Sequence, residues 1–169
     1  MLEFAPTVDI LEKFGPEWQD QAAELKAWKE KCDKLDELSS ACNNVKIKPG
    51  STESLAKFLK KEISSSNVNI AMAAVKASTG LASGLRKDFA PGCKELFNPI
   101  CLKFKEKKPI LHEEVHKFLD AAIVCTNLED LSTEFIPLIT HVAPGVKTNL
   151  YKWLEKAAQV TYIDILQNI

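Results

Sequence analysis

The sequence predicts an all-α protein, a solenoid of paired antiparallel helices. Three observations carry this. Apolar residues recur at spacings of three and four along most of the chain. No segment alternates apolar and polar residues over a useful length, so no sheet is expected. Comparable helix starts recur near Leu25, Asn67, Pro109 and Pro144, at intervals of roughly 35 to 42 residues.

The elements follow in order. Trp28, Cys32, Leu35 and Leu38 mark the first candidate helix, and Leu55, Phe58 and Leu59 the second. Asn43-Asn44 and Lys48-Pro49-Gly50 separate them, with Ser51 or Thr52 placed to cap the second. After the loop Ser64-Ser65-Ser66-Asn67, a third helix carries Val68, Met72, Val75 and Leu81 to Leu85. Phe89-Ala90-Pro91-Gly92 breaks it from a fourth, marked by Leu96, Ile100 and Phe104. Lys107-Lys108-Pro109 opens a fifth helix with proline in its first turn, carrying Leu111, Val115, Phe118, Leu119 and Ala122. Leu131, Phe135, Leu138 and Ile139 mark a sixth. Ala143-Pro144-Gly145 opens a seventh, with Val146, Leu150, Trp153, Leu154 and Ala157, and an eighth spans Tyr162 to Ile169.

This period suits HEAT or armadillo repeats, in which each helix pair buries one stripe on its partner and another on the next pair. An ordinary helical bundle is the alternative. We expect one domain over 1–169 of about 3.5 to 4 repeats, divided near 16–63, 67–106, 109–142 and 144–169. In such an array, turns within successive pairs line up along one edge and turns between pairs along the other.

With 46% hydrophobic and 27% charged residues, the chain is globular rather than disordered. A net charge of -1 argues against a generally basic nucleic-acid binder. No apolar run approaches the roughly 18 residues of a membrane span, and the start MLEFAPTVDILEKF lacks the basic opening of a signal peptide. Cys32, Cys42, Cys93, Cys101 and Cys125 include no CxxC pair and read as free, buried thiols of a cytosolic protein.

One edge would offer Trp28, the Ser65-Ser66-Asn67-Val68 loop, Lys107-Lys108 and Lys147. Trp28, among Lys26, Lys29, Glu30 and Lys31, is either a binding anchor or part of the first helix pair's core. Lys103, Lys105, Lys107 and Lys108 form the densest positive cluster: a solvated helix end, or a patch for an acidic protein surface. Nucleic acid fits less well, because aromatic interleaving is lacking. His112-Glu113-Glu114-Val115-His116 matches the H-E-x-x-H zinc-peptidase pattern, in which two imidazoles one turn apart share zinc and the glutamate is general base. No strand accompanies it, and none of the available third ligands, Glu129, Glu134 and His141, sits in a recognisable ligand motif.

Trp28-Lys29-Glu30-Lys31, Ser66-Asn67-Val68, the Thr79 to Phe89 run TGLASGLRKDF and the Lys103 to Pro109 run KFKEKKP, with Val8-Asp9-Ile10-Leu11 before them, resemble the TOG (tumour-overexpressed gene) domain of the microtubule-polymerase family. The likeness, greatest to the second such domain, runs from about residue 8 to the end. It implies a HEAT paddle that binds the tubulin αβ-dimer along a narrow edge and serves the microtubule plus end. It implies no catalysis, no cofactor and no metal, and a setting in the cytoplasm and cytoskeleton: microtubules, spindle and centrosome. By position, Trp28 matches the first contact turn, Asn67 and Val68 the second, Lys107 and Lys108 the third, and Lys147 the fourth. Against the family's six repeats the chain ends within the fourth, so two repeats and a basic fifth turn are expected outside it. Lys31 stands where arginine is commoner, Ser65 where an acid is, and Ala143 where asparagine is. The remaining alternatives are a HEAT scaffold for another acidic protein and a zinc peptidase using His112, Glu113 and His116.

Overall fold

The structure is a computed structural model describing residues 5–167, with the side chains of 160 and 162–167 left aside. After a short strand β1 (Thr7–Val8), helix α1 spans Ile10–Lys13, α2 Pro16–Glu24 and α3 Trp28–Ala41. Strand β2 (Lys46–Ile47) precedes α4 (Glu53–Ile63) and α5 (Val68–Leu85). A 3-10 turn (Arg86–Phe89) leads into α6 (Ala90–Cys101), and another (Leu102–Lys105) toward α7 (Pro109–Cys125). Helices α8 (Leu128–Ile139) and α9 (Pro144–Gln167) complete the described chain.

Two layers result. Helices α3, α5, α7 and α9 lie side by side in one, and α2, α4, α6 and α8 in the other. Across the layers α4 packs on α5, α6 on α7 and α8 on α9. The short turns joining these pairs, 64–67, 106–108 and 140–143, fall on one edge together with 25–27 between α2 and α3. The longer connection 42–52 and the turns 86–89 and 126–127 form the opposite edge.

Local chemistry explains the helix starts. Pro16, Pro91 and Pro109 occupy first-turn positions, where a missing N–H costs nothing. Asn67 caps α5, its Oδ1 accepting from the Asn69 N–H at 3.0 Å. Thr52 stands at the α4 cap as expected but makes no side-chain capping bond, since its backbone is already helical (φ -101°, ψ 0°). The core is continuous, from Phe14, Trp18 and Phe58, whose rings meet edge to face, through α5 to Phe97 and Trp153 at the far end. The alanine-rich α5 lies at its centre, buried on several sides. Gly84 lets the β2 segment lie on α5, because a Cβ there would stand 2.6 Å from Ile47 Cδ1.

Three expectations change. The absence of sheet gives way to a two-residue parallel ladder, Thr7 opposite Lys46 and Val8 opposite Ile47, too short to leave a period-two signature. The leading segment forms α1 and α2, where a single turn in α1 and the few apolar residues of α2 leave little periodic signal. The expected seventh and eighth helices are one backbone helix, α9; residues 168 and 169 lie outside the described residues, as do Met1 to Phe4. Cys42, Cys93, Cys101 and Cys125 are buried free thiols, while Cys32 is half-buried. Burial pushes the Cys42 thiol up to about 12, so it stays protonated at neutral pH.

Candidate partner-binding edge

Because α3, α5, α7 and α9 run parallel within one layer, their N-termini stand in a row at residues 28, 68, 109 and 144. Each N-terminus carries partial positive charge. At α3 and α7 no side chain caps the first turn. The preceding helices α2, α4, α6 and α8 end at the same corners, so their C-terminal partial negative charge offsets it, and the lysines set the local sign.

Trp28 opens α3 and is 43% exposed, so it is not part of the first pair's core. Lys29 lies over its ring, Nζ to centroid 5.8 Å. Core packing at the first pair falls instead to Leu35 and Leu38 of α3 and to Trp18 of α2. Lys31, three residues on, turns inward: its Nζ lies 3.5 Å from Glu62 Oε1 and 3.5 Å from the Ala23 carbonyl. That pair is nearly dry, with side chains 15% and 4% exposed.

Asn67 and Val68 are half-buried at the next corner. Asn67 donates its backbone N–H to Ser65 Oγ at 3.1 Å. At the third corner the lysines divide. Lys107 is exposed and has no hydrogen-bond or charge partner among the described residues. Lys108 is half-buried and donates to Asn69 Oδ1 at 2.8 Å. Lys103 donates to the Ser65 carbonyl at 3.1 Å. Burial holds the Lys103 pKa below its ordinary value, against the opposing pull of Glu106. Lys147 sits half-buried in the first turn of α9 without a side-chain partner among the described residues. Its helix approaches closely because Gly145 has no side chain: a Cβ there would stand 2.5 Å from the Phe104 carbonyl oxygen.

The two histidines of the H-E-x-x-H run flank Phe104, with ring centroids 5.4 and 4.9 Å away. His112 Nε2–H donates to the Glu106 carbonyl. His116 Nε2–H donates to Asn149 Oδ1 at 3.1 Å, while Asn149 Nδ2 donates to the Gly145 carbonyl at 2.8 Å. Glu114 is buried and paired with Lys117. No cluster of three metal-ligating side chains occurs among the described residues. The sequence sets these histidines in a catalytic-looking pattern; in the structure His112 closes the third corner locally and His116 joins α7 to α9. Sequence reasoning missed the inward turn of Lys31, for which no local signal exists.

The site is an edge rather than a cavity. A groove of about 570 Å³ lies between the later halves of α3 and α5 and the body of α7, lined by Ser39, Asn43, Lys76, Thr79 and Glu114. No described helix is long and apolar enough to cross a membrane.

No protein-family model matches the chain. It is 31% identical over 157 residues to Phosphoprotein p93 of Schizosaccharomyces pombe, covering 91% of this chain and 17% of that protein. It is 32% identical over 160 residues to Zygote defective protein 9 of Caenorhabditis elegans, covering 91% of this chain and 11% of that protein. The chain thus spans less than a fifth of the length of these curated relatives. Among solved structures, one on microtubule plus-end tracking by XMAP215, CLIP-170 and EB1 matches 92% of this chain and 64% of its own, with TM-score 0.82 and 28% identity. Another, on tubulin recruitment by microtubule polymerases with tumor overexpressed gene (TOG) domain arrays, matches 94% of this chain and 33% of its own. Its TM-score is 0.81, and at 24% identity it speaks to the fold alone. With its two-layer helical array and this set of relatives, the chain belongs to the XMAP215 family of TOG-domain proteins.

Proposed function

We propose that the corner edge binds the αβ-tubulin dimer and that the chain acts as a tubulin-binding unit of a microtubule plus-end polymerase. The single observation that supports this best is the row of parallel helix N-termini carrying an exposed tryptophan, Trp28, and the unpaired cation Lys107. An acidic protein surface complements the exposed cation Lys107. Trp28, Asn67, Val68, Lys107, Lys108 and Lys147 are the proposed contact set. On this reading the repeat unit is the helix pair joined by a corner, α2 with α3, α4 with α5, α6 with α7 and α8 with α9. The corners are then turns within repeats, half a unit out of phase with boundaries at 16–63, 67–106, 109–142 and 144–169. Correspondence to the second TOG domain of an array belongs to the same proposal, as does a cytoplasmic setting on microtubules, spindle and centrosome, where relatives carry spindle and centrosomal names.

The proposed role is binding without catalysis. Both histidine Nε2 atoms of the H-E-x-x-H run already hold protein acceptors, which favours a structural part for them. Gel filtration with tubulin tests the reading. Trp28→Ala is expected to weaken binding by about 2 kcal/mol, roughly thirty-fold, and the Lys107→Glu, Lys108→Glu double variant to abolish co-elution, both at unchanged helicity. Co-elution of both variants as the parent would place the site elsewhere. It would leave a HEAT scaffold for a different acidic protein as the reading to pursue.

A further inference from the structure

The two adjacent lysines of the third corner occupy different environments. Lys107 is exposed and unpaired among the described residues. Lys108 reaches back across 39 residues to Asn69 Oδ1, on the first turn of α5. Lys103, from the 3-10 turn after α6, reaches across 38 residues to the Ser65 carbonyl. The 64–67 corner is therefore gripped at both ends by cations from the next repeat. Within it, Ser65 Oγ and Asn67 Oδ1 each accept a backbone N–H two residues on, so the grip fixes a turn that is already closed locally.

We infer that Lys108, counted in the contact set above, serves there indirectly: with Lys103 it is a positioning residue that locks the 64–67 corner in register with the 106–108 corner, and Lys107 is the cation this turn offers a partner. The division rests on the tubulin-edge reading for its second half alone; the lock is a property of the free protein. Three physical points support it. An ammonium holding a protein acceptor at 2.8 Å must break that bond to meet a partner, whereas Lys107 has nothing to break. Lys103 is desolvated enough to lower its pKa, a cost sensible for an internal tie and wasteful for a surface contact. The bonds run between corners, so they set the spacing of Asn67-Val68 from Lys107, which a rigid partner reads directly.

Two readouts separate the roles: amide hydrogen exchange of residues 64–69 in the free protein, and the salt dependence of tubulin binding. Lys108→Met should speed exchange across 65–69 about five-fold, the loss of one hydrogen bond. Asn69→Ala should do the same, the double variant should be no faster than either single one, and Lys108→Arg should restore protection. Lys107→Met should leave exchange unchanged and flatten the salt dependence of binding, while Lys108→Met keeps the parent's salt slope. Unchanged exchange in Lys108→Met, or equal flattening of the salt slope by both lysine variants, overturns the assignment. If tubulin affinity responds to neither Lys107→Met nor Trp28→Ala, the tubulin reading falls, and the exchange results still decide the lock.

Discussion

The two edges of the solenoid solve the same problem of joining antiparallel helices in different ways. On the corner edge, side-chain hydrogen bonds run far along the sequence: Lys31 to Glu62, Lys103 to Ser65, Lys108 to Asn69 and His116 to Asn149 span 31 to 39 residues. On the opposite edge they are mostly local. Asn127 Oδ1 caps the Asp130 N–H at 2.8 Å, and Thr126 and Asn127 both donate back to Asp130 Oδ2. Arg86 turns the chain with φ at +52°. Longer ties occur there as well: Lys48 Nζ to Asp9 at 2.8 Å, Cys125 Sγ to the Ala82 carbonyl at 3.2 Å and Gln19 Nε2 to Ser54 Oγ at 3.3 Å. Bonds of three or four residues shape a turn; bonds of thirty or more set one turn's distance from the next. On the edge that carries the exposed tryptophan, three lysines, Lys31, Lys103 and Lys108, make such long ties.

The comparison breaks most severely at Lys31. Lys31→Met leaves the Glu62 carboxylate, 4% exposed, without its cation. The expected loss is about 3 kcal/mol, seen as a lower urea midpoint at unchanged slope. Gly145→Ala comes next. The added Cβ would strike the backbone oxygen of Phe104, so the third and fourth corners must separate. A loss of about 2 kcal/mol is expected, with faster exchange at the start of α9. Neither effect should appear at matched positions on the opposite edge, for example in Thr126→Ala.

Substitutions on the opposite edge sharpen the contrast. Arg86 holds φ 52° and ψ -125°, a region that favours glycine. Arg86→Gly should stabilise the protein by about 1 kcal/mol in thermal melts, without changing exchange at 64–69. The smallest effect is pH-dependent. The Lys48 ammonium, with the Glu12 backbone N–H, holds the Asp9 carboxyl below its ordinary value of 3.8. Because the folded pKa is the lower one, the contribution is fully present above the unfolded value and is lost as pH falls through the folded one. Lys48→Met should therefore reduce the drop in melting temperature on acidification below about pH 4, leaving the neutral-pH behaviour of the corner edge untouched.

Much of the array was legible because periodicity and breakers are local. Leu35, Leu38, Leu111, Val115 and Leu119 point inward as their spacing demands, and Pro109 and Asn67 mark helix starts by their own backbone chemistry. The row of corners follows from helix lengths alone. The two-residue ladder was not legible, since strand signatures need more residues than it has.

The sequence by itself determined the helices, their order and the residues available at each corner, because these depend on neighbours within a turn or two. Tertiary structure decided which of those residues are free. Lys31, Lys103 and Lys108 look like Lys107 in the sequence, yet three of them are held by partners 8 to 39 residues away, and the histidines of a catalytic-looking run are held by Glu106 and Asn149. A lysine's long stem lets it reach water or a neighbouring repeat equally well. Only the packing distance between repeats settles which.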